Sequence, residues 1–343
     1  MRTAIGLRLA SEDWTAASTY VVEAERMGVD CVWSAEAWGH DAVSPLAFLA
    51  ARTSRIRLGT GIMQAGTRTP ALIAMTAMSL ASMSGGRFIL GLGVSGPQVI
   101  EGWHGIRFER PVQRLRETVE IVRRAVRGER LAYNGGVYQL PLPGGEGKAL
   151  RSAARPQPDI PVYLATLSPR SLEMTGEIAD GWLGTSFMPE HARVFFDHLA
   201  VGAARAGRSL GQLDLQAGGV VAFSDDVERL IPPRKPGLAF TLGAMGSRGH
   251  NFYNDAFRRA GYEDAAVEVQ RLWLDGRREE AAARVPDELV LRTNLLGTPA
   301  MVSRRLETYR DAGITTLRVD PAGDTLDARL ATLARLLELV RAL

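Results

Sequence analysis

Short apolar runs alternate with longer amphipathic segments along the whole chain. The apolar runs tend to end in Gly, Ser or Thr, which is typical of buried parallel strands followed by loops. We predict strands at residues 4–9, 30–34, 57–61, 88–93, 161–165, 181–184, 213–223 and 315–319. Between them, we predict helices at residues 14–27, 45–53, 71–83, 112–126, 169–177, 190–206, 299–312 and 326–343.

Residues at the helix ends support this division of the chain. Asp13 is placed to cap the first helix, Gly28 to close it, and Pro70 to open a later one. Alternating strands and helices favour a parallel sheet, and eight such units favour a closed barrel over an open sheet. The sequence therefore predicts an α/β fold of the (β/α)8 TIM-barrel type, a single domain over residues 1–343.

Two insertions interrupt the alternation. The first covers about residues 131–160 and contains YNGGVYQL, whose Gly-Gly pair is typical of a tight hairpin turn. The second covers about residues 225–293 and contains helical stretches, one of them at residues 262–275.

Composition narrows the class of protein. The chain has 343 residues, of which 46% are hydrophobic and 23% charged, and no apolar run reaches the length of a membrane span. The first residues lack the apolar core of a signal peptide, and Cys31 is the only cysteine, so we expect a cytoplasmic enzyme without disulfides. The net charge is +3, and no basic stripe with interleaved aromatics indicates nucleic acid. This weak basic bias fits an anionic small ligand equally well, and we expect a small-molecule substrate and neither a nucleic acid nor a membrane as partner.

Candidate chemistry is sought at the carboxyl ends of the strands, where barrel enzymes place their sites. The residues with polar or glycine character there are Arg8, Glu36, Trp38, His40, Gly61, Gln64, Arg68, Ser95, Gly96, Gln98, Thr166, Ser168, Thr185 and Ser186. They form no metal-ligand pattern and no nucleophile motif, so we predict no metal and an organic cofactor instead. From position alone, Glu36 is either a carboxylate that binds a cofactor ring or a solvated loop acid.

At these residues the chain resembles the luciferase-like superfamily, specifically its coenzyme F420-dependent oxidoreductases, and is similar to 5,10-methylenetetrahydromethanopterin reductase. The motifs that carry the resemblance run in order from GVDCVW and EAWG through LGTGIM, RTPA, SGGRFILGLG and SGPQV to PVYLA, EIADGW, GAMG and NFYND. This resemblance implies an oxidoreductase that transfers a hydride between the deazaflavin F420 and a small organic substrate. An FMN-dependent two-component monooxygenase of the same fold is the alternative.

The resemblance also implies roles for particular residues. Gly61 and Ile62 would be joined by a non-prolyl cis peptide in a bulge behind the cofactor ring. Further cofactor contacts would come from Ser95, Gly96, Pro97, Gln98, Ala165, Thr166, Ser168 and Thr185. Relatives often carry an acid followed by His after the second strand, but here the residues are Glu36 and Ala37. Glu36 is therefore the candidate catalytic residue, with Trp38 and His40 as weaker neighbours.

Two further expectations follow from the family. A basic rim would attract the cofactor's anionic tail, and the candidates are Arg151, Arg155, Arg234, Lys235 and Arg248. Relatives form dimers or higher oligomers, so a homodimer or higher homo-oligomer is expected here.

Overall fold

The protein is a closed barrel of parallel strands, seen in a computed structural model that describes residues 1–7, 13–246 and 251–343. The strands in this part of the chain are β1 (Arg2–Gly6), β2 (Cys31–Ser34), β3 (Arg57–Thr60), β4 (Met63–Gln64), β5 (Phe88–Gly93), β6 (Tyr133–Asn134), β7 (Gln139–Leu140), β8 (Val162–Ala165), β9 (Gly181–Leu183), β10 (Asp214–Ala217), β11 (Val220–Phe223), β12 (Leu295–Gly297) and β13 (Thr316–Pro321).

Eight of the described strands close the barrel in the order β1, β2, β3, β5, β8, β9, β10 and β13. Closure occurs at β1, where Ala4 is in register with Cys31 of β2 on one side and with Arg318 of β13 on the other. All these pairings are parallel, so the predicted (β/α)8 barrel is confirmed.

Helices surround the barrel and fill the second insertion. They are α1 (Trp14–Met27), α2 (Ser44–Ala50), α3 (Pro70–Met83), α4 (Pro97–Ile100), α5 (Pro111–Val126), α6 (Pro169–Ile178), α7 (Arg193–Arg205), α8 (Lys235–Gly243), α9 (Phe252–Arg259), α10 (Glu263–Leu274), α11 (Arg278–Ala283), α12 (Asp287–Thr293), α13 (Pro299–Asp311) and α14 (Leu326–Arg341). Short 3₁₀ turns lie at Pro189–His191, Leu210–Gln212, Glu228–Leu230 and Pro232–Arg234. No helix in the described part of the chain combines the length and hydropathy that a bilayer-spanning segment needs.

The predicted helix-end residues act as expected. The Asp13 carboxylate accepts a hydrogen bond from the Ala16 N–H at 2.9 Å, and Gly28 closes α1 with a φ of 97° that favours glycine. Thr69 caps α3 immediately before Pro70. These short-range signals explain why most helix starts could be predicted from sequence.

The predicted strand at residues 213–223 is wrong in one respect, because the structure divides it into β10 and β11. The break falls at Gly218 and Gly219, where backbone from other segments approaches very closely. A Cβ on Gly218 would lie 2.1 Å from the Arg318 carbonyl oxygen, and one on Gly219 would lie 2.2 Å from that of Thr293. After the break the chain leaves the barrel, and β11 pairs with β12 and with the end of β13.

A bulge separates β3 from β4. The Gly61–Ile62 peptide is cis, as the resemblance implies. After the bulge, β4 pairs with Leu92 and Gly93 of β5, farther along that strand than the residues that pair with β3. The first predicted strand, 4–9, corresponds to β1 at Arg2–Gly6, and residues 8–12 lie outside the described part of the chain.

Both insertions have structure of their own. The first contains the predicted hairpin, β6 with β7, which is attached to α5 by Glu117. The Glu117 carboxylate accepts backbone hydrogen bonds from Gly136, Val137 and Tyr138. The second packs α8 to α12 around a separate apolar cluster that includes Leu242, Phe257 and Leu289.

Candidate functional site at the barrel mouth

The carboxyl ends of the barrel strands surround one mouth, because parallel strands bring all these ends to the same face. The residues predicted for the site follow the strands in this way: Glu36 after β2, Gly61 and Ile62 after β3, Ser95, Gly96, Pro97 and Gln98 after β5, Ala165, Thr166 and Ser168 at and after the end of β8, and Thr185 after β9. Arg8 and Leu9, at the predicted end of the first strand, lie outside the described residues.

An apolar floor lies inside this mouth. Ile62 and Ala165 are partly exposed and pack on a buried cluster in the barrel lumen that includes Trp33. A Cβ on Gly93 would lie 3.1 Å from the Ile62 side chain, so glycine lets β5 pass close beneath it. At the end of β1, a Cβ on Gly6 would meet no described atom within 4 Å. The floor is therefore apolar and partly accessible, and there is room around Gly6 among the described atoms.

The Trp33 ring fills the lumen beneath the floor. A Cβ on Gly59 would lie 2.2 Å from this ring, and one on Gly61 would lie 3.0 Å from the Trp33 Cβ. The indole Nε1–H donates to Gln216 Oε1 at 3.0 Å, which fixes the ring orientation. Glycine at position 59 of β3 thus leaves room for the hydrogen-bonded tryptophan of β2.

Asp214 anchors the polar network at the amino end of the lumen. Its carboxylate accepts hydrogen bonds from the hydroxyls of Tyr163, Thr315 and Thr316 at 2.6–2.8 Å, and pairs with Arg2. Burial acts to raise the pKa of Asp214, but the hydrogen bonds outweigh it and the pKa lies below its usual value.

A cavity of about 320 Å³ opens at this amino end, lined by residues such as Arg2, Arg57 and Asp214. The network of Trp33, Gln216 and Asp214 separates it from the opposite face. In barrel enzymes the chemistry belongs to the carboxyl face, so we place the functional site at the mouth.

Glu36 holds the loops of the mouth together. Its carboxylate accepts from both terminal nitrogens of Arg68, from the Ala42 N–H at 3.0 Å and from the Gln64 N–H at 2.8 Å. Its side chain is only 8% exposed. Both oxygens are therefore occupied by partners within the protein, and the clamp joins the chain after β2 to the chain after β4.

The chain after β5 has an unusual backbone. Ser95 has a φ of 60°, in the left-handed region that side chains rarely adopt. Gly96 then precedes the short helix α4, which begins at Pro97. The Gln98 side-chain amide donates to the Gly246 carbonyl oxygen in the second insertion. Ser95, Gly96 and Pro97 are partly exposed at the mouth.

Hydroxyl groups border the mouth at β8 and β9, but they differ in availability. The Thr166 hydroxyl is buried and hydrogen-bonded to that of Thr175 at 2.7 Å, and the Ser168 hydroxyl is bonded to that of Ser171 at 2.8 Å. Thr185 is partly exposed, and its hydroxyl has no hydrogen-bond partner among the described residues. The Ser186 hydroxyl is buried and has no partner in the described part of the chain, on a backbone with a φ of 53°.

The weaker candidates lie farther out. Trp38 is 53% exposed, and His40 is exposed with its ring against Trp14. Among the proposed basic-rim residues, Arg151 and Arg155 are exposed, and Lys235 pairs with Asp287. Burial lowers the pKa of Arg234, whose Nε is buried and meets no hydrogen-bond partner within the residues that the structure describes. Arg248 lies outside the described residues.

Sequence reasoning missed Arg318 as a site residue. It lies in β13, between apolar neighbours, and is partly exposed at the mouth. Its guanidinium donates to the Gly184 carbonyl oxygen at the end of β9, at 2.7 Å. The sequence signal that could have identified it is a charged residue within the strand-like run TLRVDP. Residues two apart in a strand share a face, so Arg318 lies on the same face as Thr316.

With this fold and this mouth, the chain belongs to the luciferase-like monooxygenase family, whose model matches residues 2–316. It is 42% identical over 307 residues to Rv3520c of Mycobacterium tuberculosis, a protein named as a coenzyme F420-dependent oxidoreductase, and the match covers 87% of this chain and 88% of that protein. It is 29% identical over 302 residues to the 5,10-methylenetetrahydromethanopterin reductase of Methanolobus tindarius, with 87% of each chain covered.

One solved structure gives the same result in three dimensions. The coenzyme F420-dependent tetrahydromethanopterin reductase from Methanopyrus kandleri superposes with a TM-score of 0.81 at 25% identity, over 97% of both chains. The superfamily inferred from the motifs is therefore confirmed.

Proposed function

We propose that this protein is an oxidoreductase that uses coenzyme F420 and transfers a hydride between the deazaflavin and a small organic substrate. The observation that carries this proposal is the apolar, partly exposed floor of Ile62 and Ala165 at the barrel mouth. A planar heterocycle can stack on such a floor, and the identity of 42% with a relative named for F420 supports this cofactor. Bound there, F420 supplies the hydride chemistry.

The residues at the mouth fit such a cofactor. Gly61 and Ile62 would lie behind the ring, with Ala165 beside them. Ser95, Gly96, Pro97 and Gln98 would contact its polar chain, and Thr166, Ser168 and Thr185 would contact that chain or its phosphate. The hydroxyl of Ser186, buried without a described partner, and the unpartnered hydroxyl of Thr185 agree with a site completed by a ligand.

Glu36 is kept as the candidate catalytic residue from the sequence, and the clamp adds a positioning role. Because both carboxylate oxygens are engaged, Glu36 fixes the loops that surround the floor. The protein would then act chiefly by orienting the two reactants and by excluding water from the mouth.

Cofactor binding provides the direct test. Purified protein is titrated into F420 and into FMN, and the quenching of each fluorophore is followed. We expect saturable binding of F420 and much weaker binding of FMN. Tighter binding of FMN would contradict the proposal and favour the two-component monooxygenase. An Ile62→Glu variant, which places a charge on the floor, should lose F420 binding, whereas the exposed Leu142→Glu variant should keep it.

We also propose that the protein forms a homodimer or higher homo-oligomer and that it is cytoplasmic. Support for self-association comes from the outer face of α3, where Leu72, Met75 and Met83 are 47–59% exposed. Light scattering after size exclusion tests this. A Met75→Glu variant should shift the mass toward the monomer if this face is the interface.

A further inference from the structure

Arg318 is the third of the six residues of β13 and lies inside the barrel, in register with Ala4 of β1. Thr316, two residues earlier on the same strand face, reaches Asp214 in the lumen with its hydroxyl. Arg318 therefore also points toward the lumen, and its guanidinium reaches the Gly184 carbonyl oxygen at 2.7 Å. The residue as a whole is partly exposed.

The charge of Arg318 is not neutralised by the described protein. Two other arginines named above do have acidic partners, since Arg2 pairs with Asp214 and Arg68 with Glu36. No carboxylate among residues 1–7, 13–246 and 251–343 lies within ion-pair distance of Arg318. Burial lowers the pKa of Arg318, but a guanidinium stays protonated in proteins. A charge in this position is costly unless an anion joins it.

Tyr253 of α9 lies near this charge. Burial raises the pKa of Tyr253, and the positive charge of Arg318 offsets part of that increase. The Tyr253 hydroxyl has no hydrogen-bond partner among the described residues. It remains protonated at neutral pH and is free to donate a hydrogen bond to a ligand held by Arg318.

The strand order places Arg318 opposite the floor. In the closed ring, β13 and β5 are separated by three strands in either direction, β1, β2 and β3 on one side and β10, β9 and β8 on the other. The two floor residues lie on either side of β5. Ile62 immediately precedes β4, which pairs with β5, and Ala165 ends β8, which pairs with β5 on its other edge. A substrate that lies over a ring stacked on the floor would therefore have Arg318 on its far side.

We propose that Arg318, together with the hydroxyl of Tyr253, binds an anionic group of the substrate, a carboxylate or a phosphate. The proposal rests on the proposed function for its hydride chemistry, and it limits the substrates to small organic acids or phosphorylated compounds. Arg318 is a specificity residue in this role, since a guanidinium offers two parallel N–H donors to the oxygens of such a group.

Two small anions serve as probes, acetate and inorganic phosphate. The thermal midpoint of the protein is measured over a concentration series of each ion, with ionic strength held constant by chloride, both without F420 and with saturating F420. A ligand that binds the folded state raises the midpoint, and the increase grows with the logarithm of the ligand concentration relative to its Kd. The variants are Arg318→Met, Arg318→Lys and Tyr253→Phe, and the control is Arg304→Met on the exposed face of α13.

Wild type and Arg304→Met should show the same ion-dependent increase, with and without F420. Arg318→Met should weaken the apparent ion affinity by about 10- to 100-fold, the usual effect of losing charge-assisted hydrogen bonds. Arg318→Lys and Tyr253→Phe should lie between. Only the increase in thermal midpoint that the ion causes is compared between variants. A general loss of stability, caused by losing the hydrogen bond from Arg318 to Gly184, therefore does not affect the comparison.

Three results would overturn the proposal. One is an ion effect of equal size in wild type and in Arg318→Met, which would mean that Arg318 only holds the end of β9. Another is the absence of any ion effect in wild type. The third is a combination of two observations. The ion effect of wild type disappears when F420 is added, and Arg318→Met binds F420 about tenfold more weakly; together they would assign Arg318 to the cofactor. Failure of F420 to bind wild type would refute the proposed function instead, and the measurements without F420 would still decide the role of Arg318.

Discussion

The carboxylate of Glu36 and the guanidinium of Arg68 form a two-point ion pair at the barrel mouth. One nitrogen of Arg68 approaches Glu36 Oε1, and the other donates to Oε2 at 2.9 Å. The side chains are only 8% and 20% exposed, so water screens the pair weakly. Two backbone N–H groups, of Ala42 and Gln64, complete the coordination of the carboxylate. The pair therefore fixes both loops that border the apolar floor.

The first prediction concerns this ion pair. Glu36→Gln keeps the shape but leaves Arg68 without a counter-charge, so we expect a loss of about 2–4 kcal/mol in the free energy of unfolding. Urea denaturation measures this. Arg68→Met should cost a similar amount, and the double variant should cost clearly less than the sum, because the two residues act as one unit.

The same variant tests the catalytic role of Glu36. If Glu36 only positions the loops, the hydride-transfer rate of Glu36→Gln falls while its pH profile keeps the shape of wild type. If Glu36 exchanges a proton with the substrate, one limb of the profile disappears.

The second prediction concerns Gly59. Gly59→Ala would place a methyl group 2.2 Å from the Trp33 ring, which is held by Gln216 and by the lumen packing. We expect a loss of about 2–4 kcal/mol in unfolding free energy and weaker F420 binding, because the ring supports the floor. Gly39→Ala is the matched control, since its Cβ meets no described atom within 4 Å. Equal stability of the two variants would show that Trp33 moves freely.

Much of the barrel could be predicted because its strands are buried on both faces. They therefore appear as apolar runs that tend to end in Gly, Ser or Thr. The run FILGLG is fully buried, and its predicted and observed limits coincide. The capping of α1 by Asp13 depends on contacts within one helical turn, so sequence alone suffices for it.

Other features depend on contacts between distant segments. Gly218 and Gly219 look like strand residues until the backbones of Arg318 and Thr293 are placed against them. β12 has only three residues, and its partner β11 is far away in sequence. The clamp of Glu36 is neither of the two alternatives that the sequence offered for this residue, because its partner Arg68 is 32 residues away. Arg318 was overlooked for the same reason, since only the closed barrel brings it to the mouth.

The third prediction is a pH dependence that arises from Asp214. Because hydrogen bonds hold the folded-state pKa of Asp214 below its usual 3.8, the carboxylate stabilises the fold above that pH. The stabilisation is lost as the pH falls from about 4 through the lower folded-state pKa. We expect Asp214→Asn to be about 2–4 kcal/mol less stable than wild type at pH 7, and the difference to shrink at pH 3 and below.

Urea denaturation of both proteins across this pH range makes the comparison, and the other carboxyl groups cancel in the difference. Asp311→Asn is the control, because Asp311 is exposed and its one ion-pair partner within the described ranges is the neighbouring Arg310. A difference between wild type and Asp214→Asn that stays constant down to pH 2 would argue against the lowered pKa.

The last prediction separates two threonines that border the mouth. The hydroxyl of Thr185 is partly exposed without a described partner, whereas that of Thr166 is buried against Thr175. Thr185→Val should therefore leave the unfolding free energy almost unchanged and weaken F420 binding about 3- to 10-fold, the value of one hydrogen bond. Thr166→Val should do the reverse, with a loss of about 1–2 kcal/mol in stability and little change in affinity. Fluorescence titration gives the F420 affinity of each variant, and urea denaturation gives its unfolding free energy. If both variants lost stability equally and neither lost affinity, the hydroxyls after β8 and β9 would have no part in holding the cofactor, and its polar chain would have to lie on the side of Ser95 and Gln98.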